Sequence, residues 1–206
     1  MLRMVDPFSM IAAGAAIGGA TSKFVEKAWD AGENWISSYF ANHGAKAKEK
    51  AKKNSLEFLN ELAMRVKDLE KKDAKNKDFI DNALSNPDFS ALLQKAILSS
   101  AQTENKQKHE LLARLISDRL TKSSESIHAL TSKLSTEAIT AMNANQLKLL
   151  ALIMNIQYII PKENPQNIKS QEDFDKYVLE WLESRYKELL DVKFSNLDLH
   201  HLEALS

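Results

Sequence analysis

The stretch from Asn143 to Ile160, NANQLKLLALIMNIQYII, constrains the fold more than any other part of the chain. On a helical wheel Leu147, Leu150, Ala151, Met154 and Tyr158 cover one side, and Leu149, Leu152, Ile153 and Ile156 cover most of the other. A helix apolar nearly all round is buried in a protein core or in lipid. The apolar part, Leu147 to Ile160, falls short of the roughly 20 residues of a membrane span and carries Lys148, Asn155 and Gln157. Asn143 is its expected cap, with Gln146 as the reciprocal capping-box partner. The reading is an all-α protein, a multi-helix bundle arranged around a buried central helix at about 143–160.

The rest of the chain supports long helices. Four prolines and five glycines in 206 residues leave few turns, and Leu, Ala, Lys, Glu and Ser dominate. A formal net charge of zero provides no global field for nucleic acid or an acidic partner. Without cysteine there are no disulfides or thiolate metal sites, which fits a reducing compartment. Asp6-Pro7 interrupts the N-terminus before its apolar run, a poor secretory signal. The expected location is cytoplasmic, with peripheral contact at the inner membrane as the alternative.

Asp6-Pro7 is instead a good helix start, cap then proline. It opens a Gly/Ala-rich N-terminal helix, in which Gly14 and Gly18 are spaced for close approach of another helix. The same face continues through Val25, Trp29, Gly32, Ile36 and Phe40. Gly14, Gly18, Trp29, Ile36 and Phe40 are therefore candidates for a helix-packing or oligomer interface. As a helix, Phe8 to Ala20 spans only about 20 Å, too little for a bilayer core of about 30 Å. After Gly44 comes KAKEKAKK, five lysines against one glutamate, read as a solvated helix, or as an attraction to anionic lipid, ranked above nucleic acid because no aromatics are interleaved. On this pattern residues 1–53 form the N-terminal helix and basic connector, and 54–206 the bundle domain.

Further helices follow. Ser55 to Lys72 carries an apolar stripe of Phe58, Leu59, Leu62, Val66 and Leu69, and a short helix follows around Phe79 to Leu84. Asn86-Pro87 starts a helix with Phe89, Leu92, Leu93, Ala96 and Ile97 inward. Thr103 is the expected cap of a helix over 104–121. Ser124 to Ala141 is expected to turn Ile127, Leu130, Leu134 and Ile139 inward. Gln171 to Asp191 is expected to do the same with Phe174, Tyr177, Val178, Trp181, Leu182 and Leu189. The leucine-rich end, SNLDLHHLEAL, is helical in period and stops abruptly, which suggests truncation or an interface.

No catalytic motif emerges. HELLA lacks the second histidine of a zinc-protease helix, and adjacent His200 and His201 point about 100° apart on a helix and cannot easily share an ion. No catalytic, cofactor or metal residue is assigned, and no small molecule is evident. Whether the protein is an enzyme is undecided, with the balance toward none. On helix 104–121, Glu110, Arg114, Asp118 and Lys122 form a solvated ladder of alternating charge. His109 and Arg119 fall on the opposite, apolar side as candidate buried polar residues. A buried arginine needs a carboxylate. Glu137 and Asp173 are conceivable partners, and the choice lies between a structural ion pair and an anion-recognition site.

The blocks NPDFSALLQKAILSSAQTENKQKHELLARLISDRL, ALTSKLSTEAI and NQLKLLALI resemble those of a family of uncharacterised bacterial helical proteins. DPFSMIAAGAAIGGA, AWDAGENWISSYF and NSLEFLNELAMRV look like the start of the same family, so the resemblance covers most of the chain and implies a longer protein. HELLARLISDRL and NQLKLLALI also resemble the abortive-infection alpha group of phage-exclusion proteins, which implies a defence role by analogy. The expected function is a non-enzymatic interaction protein linked to phage defence. Its expected partner is another copy of itself, joined through the N-terminal helix, or another protein, and nucleic acid is disfavoured. A membrane-perturbing effector and an enzyme with a site invisible in sequence are the alternatives.

Overall fold

A computed structural model describes residues 23–73, 76–123, 125–158, 168–187, 189 and 191–205. Among them the chain forms nine α-helices, one 3-10 turn and no strand, an all-α multi-helix bundle. In order these are α1 (Lys23–Tyr39), α2 (Ala45–Lys72), α3 (Asn76–Asn82) running into the 3-10 turn Ala83–Ser85, α4 (Pro87–Ala101), α5 (Lys106–Leu120) and α6 (Ile127–Ala141). Then come α7 (Ala144–Tyr158), α8 (Gln171–Tyr186) and α9 (Asn196–Ala204). The chain divides into two compact units between Ala141 and Met142. Position 53 lies inside α2, which passes through it unbroken.

Side-chain caps set several starts. Asn86 accepts from the N–H groups of Asp88 and Phe89, with Pro87 at the first helical position. Asn105, rather than the expected Thr103, caps α5 by accepting from Lys108 N–H at 2.9 Å. Thr103 instead accepts from the N–H of Asn105 itself, two residues too early to cap. Asn143 and Gln146 form the expected reciprocal box, at 2.9 and 3.0 Å.

In the first unit the organising element is α2. It buries Phe58, Leu59, Leu62 and Val66 against α1, α4 and α5, each side chain contributing about 1.5–3 kcal/mol. Asn54, also buried, donates to the carbonyl of Ala101 at 3.2 Å and so satisfies an orphan acceptor at the end of α4. Phe24, Val25, Trp29 and Ile36 of α1, with Phe40 just past its end, complete the core. This corrects the expected centre. The helix anticipated at 143–160 forms, but Gln146 and Leu149 are its only residues assigned as buried, and Met154, Ile156 and Tyr158 are exposed. The second unit supplies only two other helices among the described residues, too few to surround a third.

Two inward faces are also corrected. On α6 the buried residues are Ala129, Ser132 and Thr136, whereas Ile127, Leu130 and Leu134 are 71%, 54% and 67% exposed. Only Ile139 of the expected apolar set packs against the core, partly buried. Small side chains let α6 lie close to α4 and α5, so its bulky ones are turned away. On α8 only Tyr186 is buried, and Phe174 and Leu182 are exposed. The second unit is tied largely by polar contacts: Gln146 to Asp198 at 3.1 Å and Lys148 to Asp191 at 3.1 Å.

Candidate functional site

Arg119, in the last turn of α5, is 3% exposed. Its Nη1 donates to the carbonyl of Lys122 at 2.6 Å, just past the end of the helix. Its Nη2 donates to Asp88 Oδ2 at 3.2 Å, in the first turn of α4. Both placements are favoured by the helix dipoles, a cation at a C-terminus and an anion at an N-terminus. The carboxylate partner is thus Asp88. Neither conceivable partner takes the role; Glu137 pairs with Lys95 at 3.0 Å. The pairing is one-pronged, and Nε of Arg119 is buried without a hydrogen-bond partner among the described residues.

Arg119 forms part of the wall of an open cleft of about 480 Å³. Its apolar lining comes from Phe79, Ala83, Phe89 and Leu120. Asp78, Asn82 and Asn86 line it from α3 and the start of α4, and Lys122 and Ser123 from the end of α5. Ile80 and Ala83 anchor α3 and its 3-10 turn inward, which leaves Phe79 outward on the rim, 66% exposed. Nothing in a single-sequence pattern gathers these residues. The one signal was Arg119 itself, a cation on an apolar helix face.

His109, the other candidate buried polar residue, is 1% exposed. Its Nε2 lies 3.2 Å from the carbonyl of Ser100 and 2.9 Å from that of Thr103. Carbonyls only accept, so Nε2 carries the proton and bridges the loop between α4 and α5. Among the described residues Nδ1 has no hydrogen-bond partner, and it stands 3.7 Å from Glu57 Oε2. This arrangement organises a turn and presents no nucleophile. Trp29, Ile36 and Phe40 are buried within the first unit, where they pack α1 onto its own core. Gly14 and Gly18 lie outside the described residues. His200 pairs with Glu203 at 3.5 Å, and among the described residues no group of three His, Asp or Glu side chains is placed to hold a metal ion. No helix among the described residues is long and apolar enough to cross a membrane.

Fold and site together define an all-α helical protein with a cleft bordered by a buried arginine. Residues 22–206 match the sequence profile of an uncharacterised protein family, and the chain belongs to that family. No curated protein and no solved structure matches it.

Proposed function

We propose that the protein is a non-enzymatic helical interaction protein of the bacterial cytoplasm whose copies associate with one another. The observation that carries this reading is the apolar surface of the second unit. Ile156, Tyr158, Phe174, Leu179, Phe194 and Leu197 are all exposed, while Leu149, Tyr186 and Leu202 are buried. Large apolar side chains left in water at this density mark contact surfaces. Zero net charge imposes no long-range repulsion between copies, which favours a second copy as the partner. The Gly14/Gly18 spacing supports the N-terminal helix as a second element of that association.

Membrane perturbation is less well supported. Lys50 pairs with Glu104 at 2.8 Å and Lys52 with Glu33 at 3.4 Å, so part of the lysine run is neutralised internally. A place in phage exclusion rests on the likeness of HELLARLISDRL and NQLKLLALI to that group, and phage plating on cells with and without the gene tests it.

Light-scattering mass decides the central reading. The wild type should exceed the monomer mass at tens of micromolar. Leu179→Ser with Leu197→Ser, and separately Gly14→Leu with Gly18→Leu, should lower that mass at unchanged helicity by circular dichroism. A monomeric wild type would refute self-association.

A further inference from the structure

We propose that the cleft bordered by Phe79 and Arg119 binds a carboxylate carried on an apolar body. Its volume, about 480 Å³, falls within the about 300–1,000 Å³ typical of small-ligand sites. The lining is divided by chemistry. Phe79, Phe89, Ala83 and Leu120 offer apolar contact, while Arg119 and Lys122 bring cations from the end of one helix. Arg119 is held in place at both Nη atoms, and the two acceptors, Lys122 O and Asp88 Oδ2, use only two of the four N–H groups that those atoms carry. A fixed guanidinium with unused N–H groups is the group that recognises a planar carboxylate. Lys122 is exposed, has no ion-pair partner among the described residues and supplies a second cation.

Charge sets the size of the anion. Arg119 and Lys122 are opposed by Asp88, which holds Arg119, and by Asp78 on the lining. The two pairs of charges balance, so the cleft has no surplus positive charge to offset a phosphate dianion, and an anion must bind through the directed N–H groups of Arg119. Phe79 gives the apolar half its reason: a large aromatic side chain, mostly exposed on the rim, gains contact when a hydrophobic group lies over it. A free organic acid and the terminal carboxylate of a peptide ending in an apolar residue share this chemistry.

Calorimetric titration of the full chain with 3-phenylpropionate, its neutral amide, inorganic phosphate and the tripeptide Ala-Ala-Phe tests the proposal. The acid is expected to saturate at millimolar concentration or below, with the amide and phosphate at least about tenfold weaker. Tighter binding of the tripeptide would assign the site to chain ends, and tighter binding of the acid to free acids. Lys122→Glu and Phe79→Ser change exposed side chains and leave the core intact, and each should weaken the acid by about tenfold. An acid that fails to saturate, an amide or phosphate that binds equally, or two variants with wild-type affinity would each overturn the proposal.

Discussion

At the scale of single residues, the polar groups in the core fix connections that apolar packing would leave loose. His109 supplies one donor to two carbonyls, those of Ser100 and Thr103. Replacing it by leucine keeps most of the bulk and strands both acceptors, so His109→Leu should cost about 1–3 kcal/mol in urea unfolding. An unchanged midpoint would mean those carbonyls find other donors and His109 serves only as filling. Gly32 shows the same economy from the other side. A Cβ built there would sit 3.3 Å from Ile97 Cδ1 and 3.4 Å from Leu59 Cδ1, where α1 approaches α2 and α4. In Gly32→Ala the tight contact opposes a helix-propensity gain of about 1 kcal/mol, giving a nearly neutral change. Gly32→Leu should lose about 1–3 kcal/mol by overpacking, read from the same denaturation curves. The burial of His109 and Arg119 was legible from their place on an apolar helix face. Their partners were not: Asp88 lies 31 residues from Arg119, at the start of a different helix, and no local spacing links them.

At the scale of elements, helix starts were more legible than helix faces. Asn86-Pro87 and Asn143 with Gln146 announce their caps because side chain and backbone are neighbours in sequence. The inward face of α6 was misread because large apolar residues were equated with the core. A close crossing selects small side chains, and Thr136 and Ser132 meet their polar demand by donating to carbonyls four residues back. Hence Thr136→Leu should destabilise by about 1–3 kcal/mol, whereas Leu134→Lys should stay within about 0.5 kcal/mol. Thermal unfolding of the two variants would show the order reversed if Leu134 faced inward. In α9, hydrogen bonds from Ser195, first its backbone N–H and then its hydroxyl, hold the Asp198 carboxyl below its ordinary value, and Gln146 adds a third. A folded value lower than the unfolded one means the stabilisation is present above the ordinary aspartate pKa of about 3.9 and is lost as pH falls through the folded value. Carbon-detected NMR titration should place Asp198 below that ordinary value, and Ser195→Ala should raise it. A carboxyl titrating at the ordinary value in the wild type would show that the capping box does not persist in solution.

At the scale of the whole molecule, the two units differ in what holds each together. The first has a continuous apolar core from Phe24 to Leu120, built on side chains such as Phe58, Leu93 and Ile116 that are almost fully withdrawn from water. The second buries few large side chains and adds polar ties, the exposed contact of Lys148 with Asp191 and the part-buried one of Gln146 with Asp198. The all-α class was legible because helix-forming composition and capping signals run through both units. The uneven depth of packing was not, since wheel patterns report how apolar a face is and say nothing of whether neighbours exist to cover it. Ile156 and Phe174 lie on such faces and are exposed. Opening free energy follows buried apolar contact, so amide hydrogen exchange should separate the units. Amides of α2 between Phe58 and Val66 should exchange slowest, through global unfolding of their unit. Those of α8 and α9 should exchange orders of magnitude faster at low protein concentration, and should slow as concentration rises if association covers the exposed leucines. Equal protection in both units at every concentration would mean that they unfold as one cooperative block and that the exposed side chains gain nothing from a second copy.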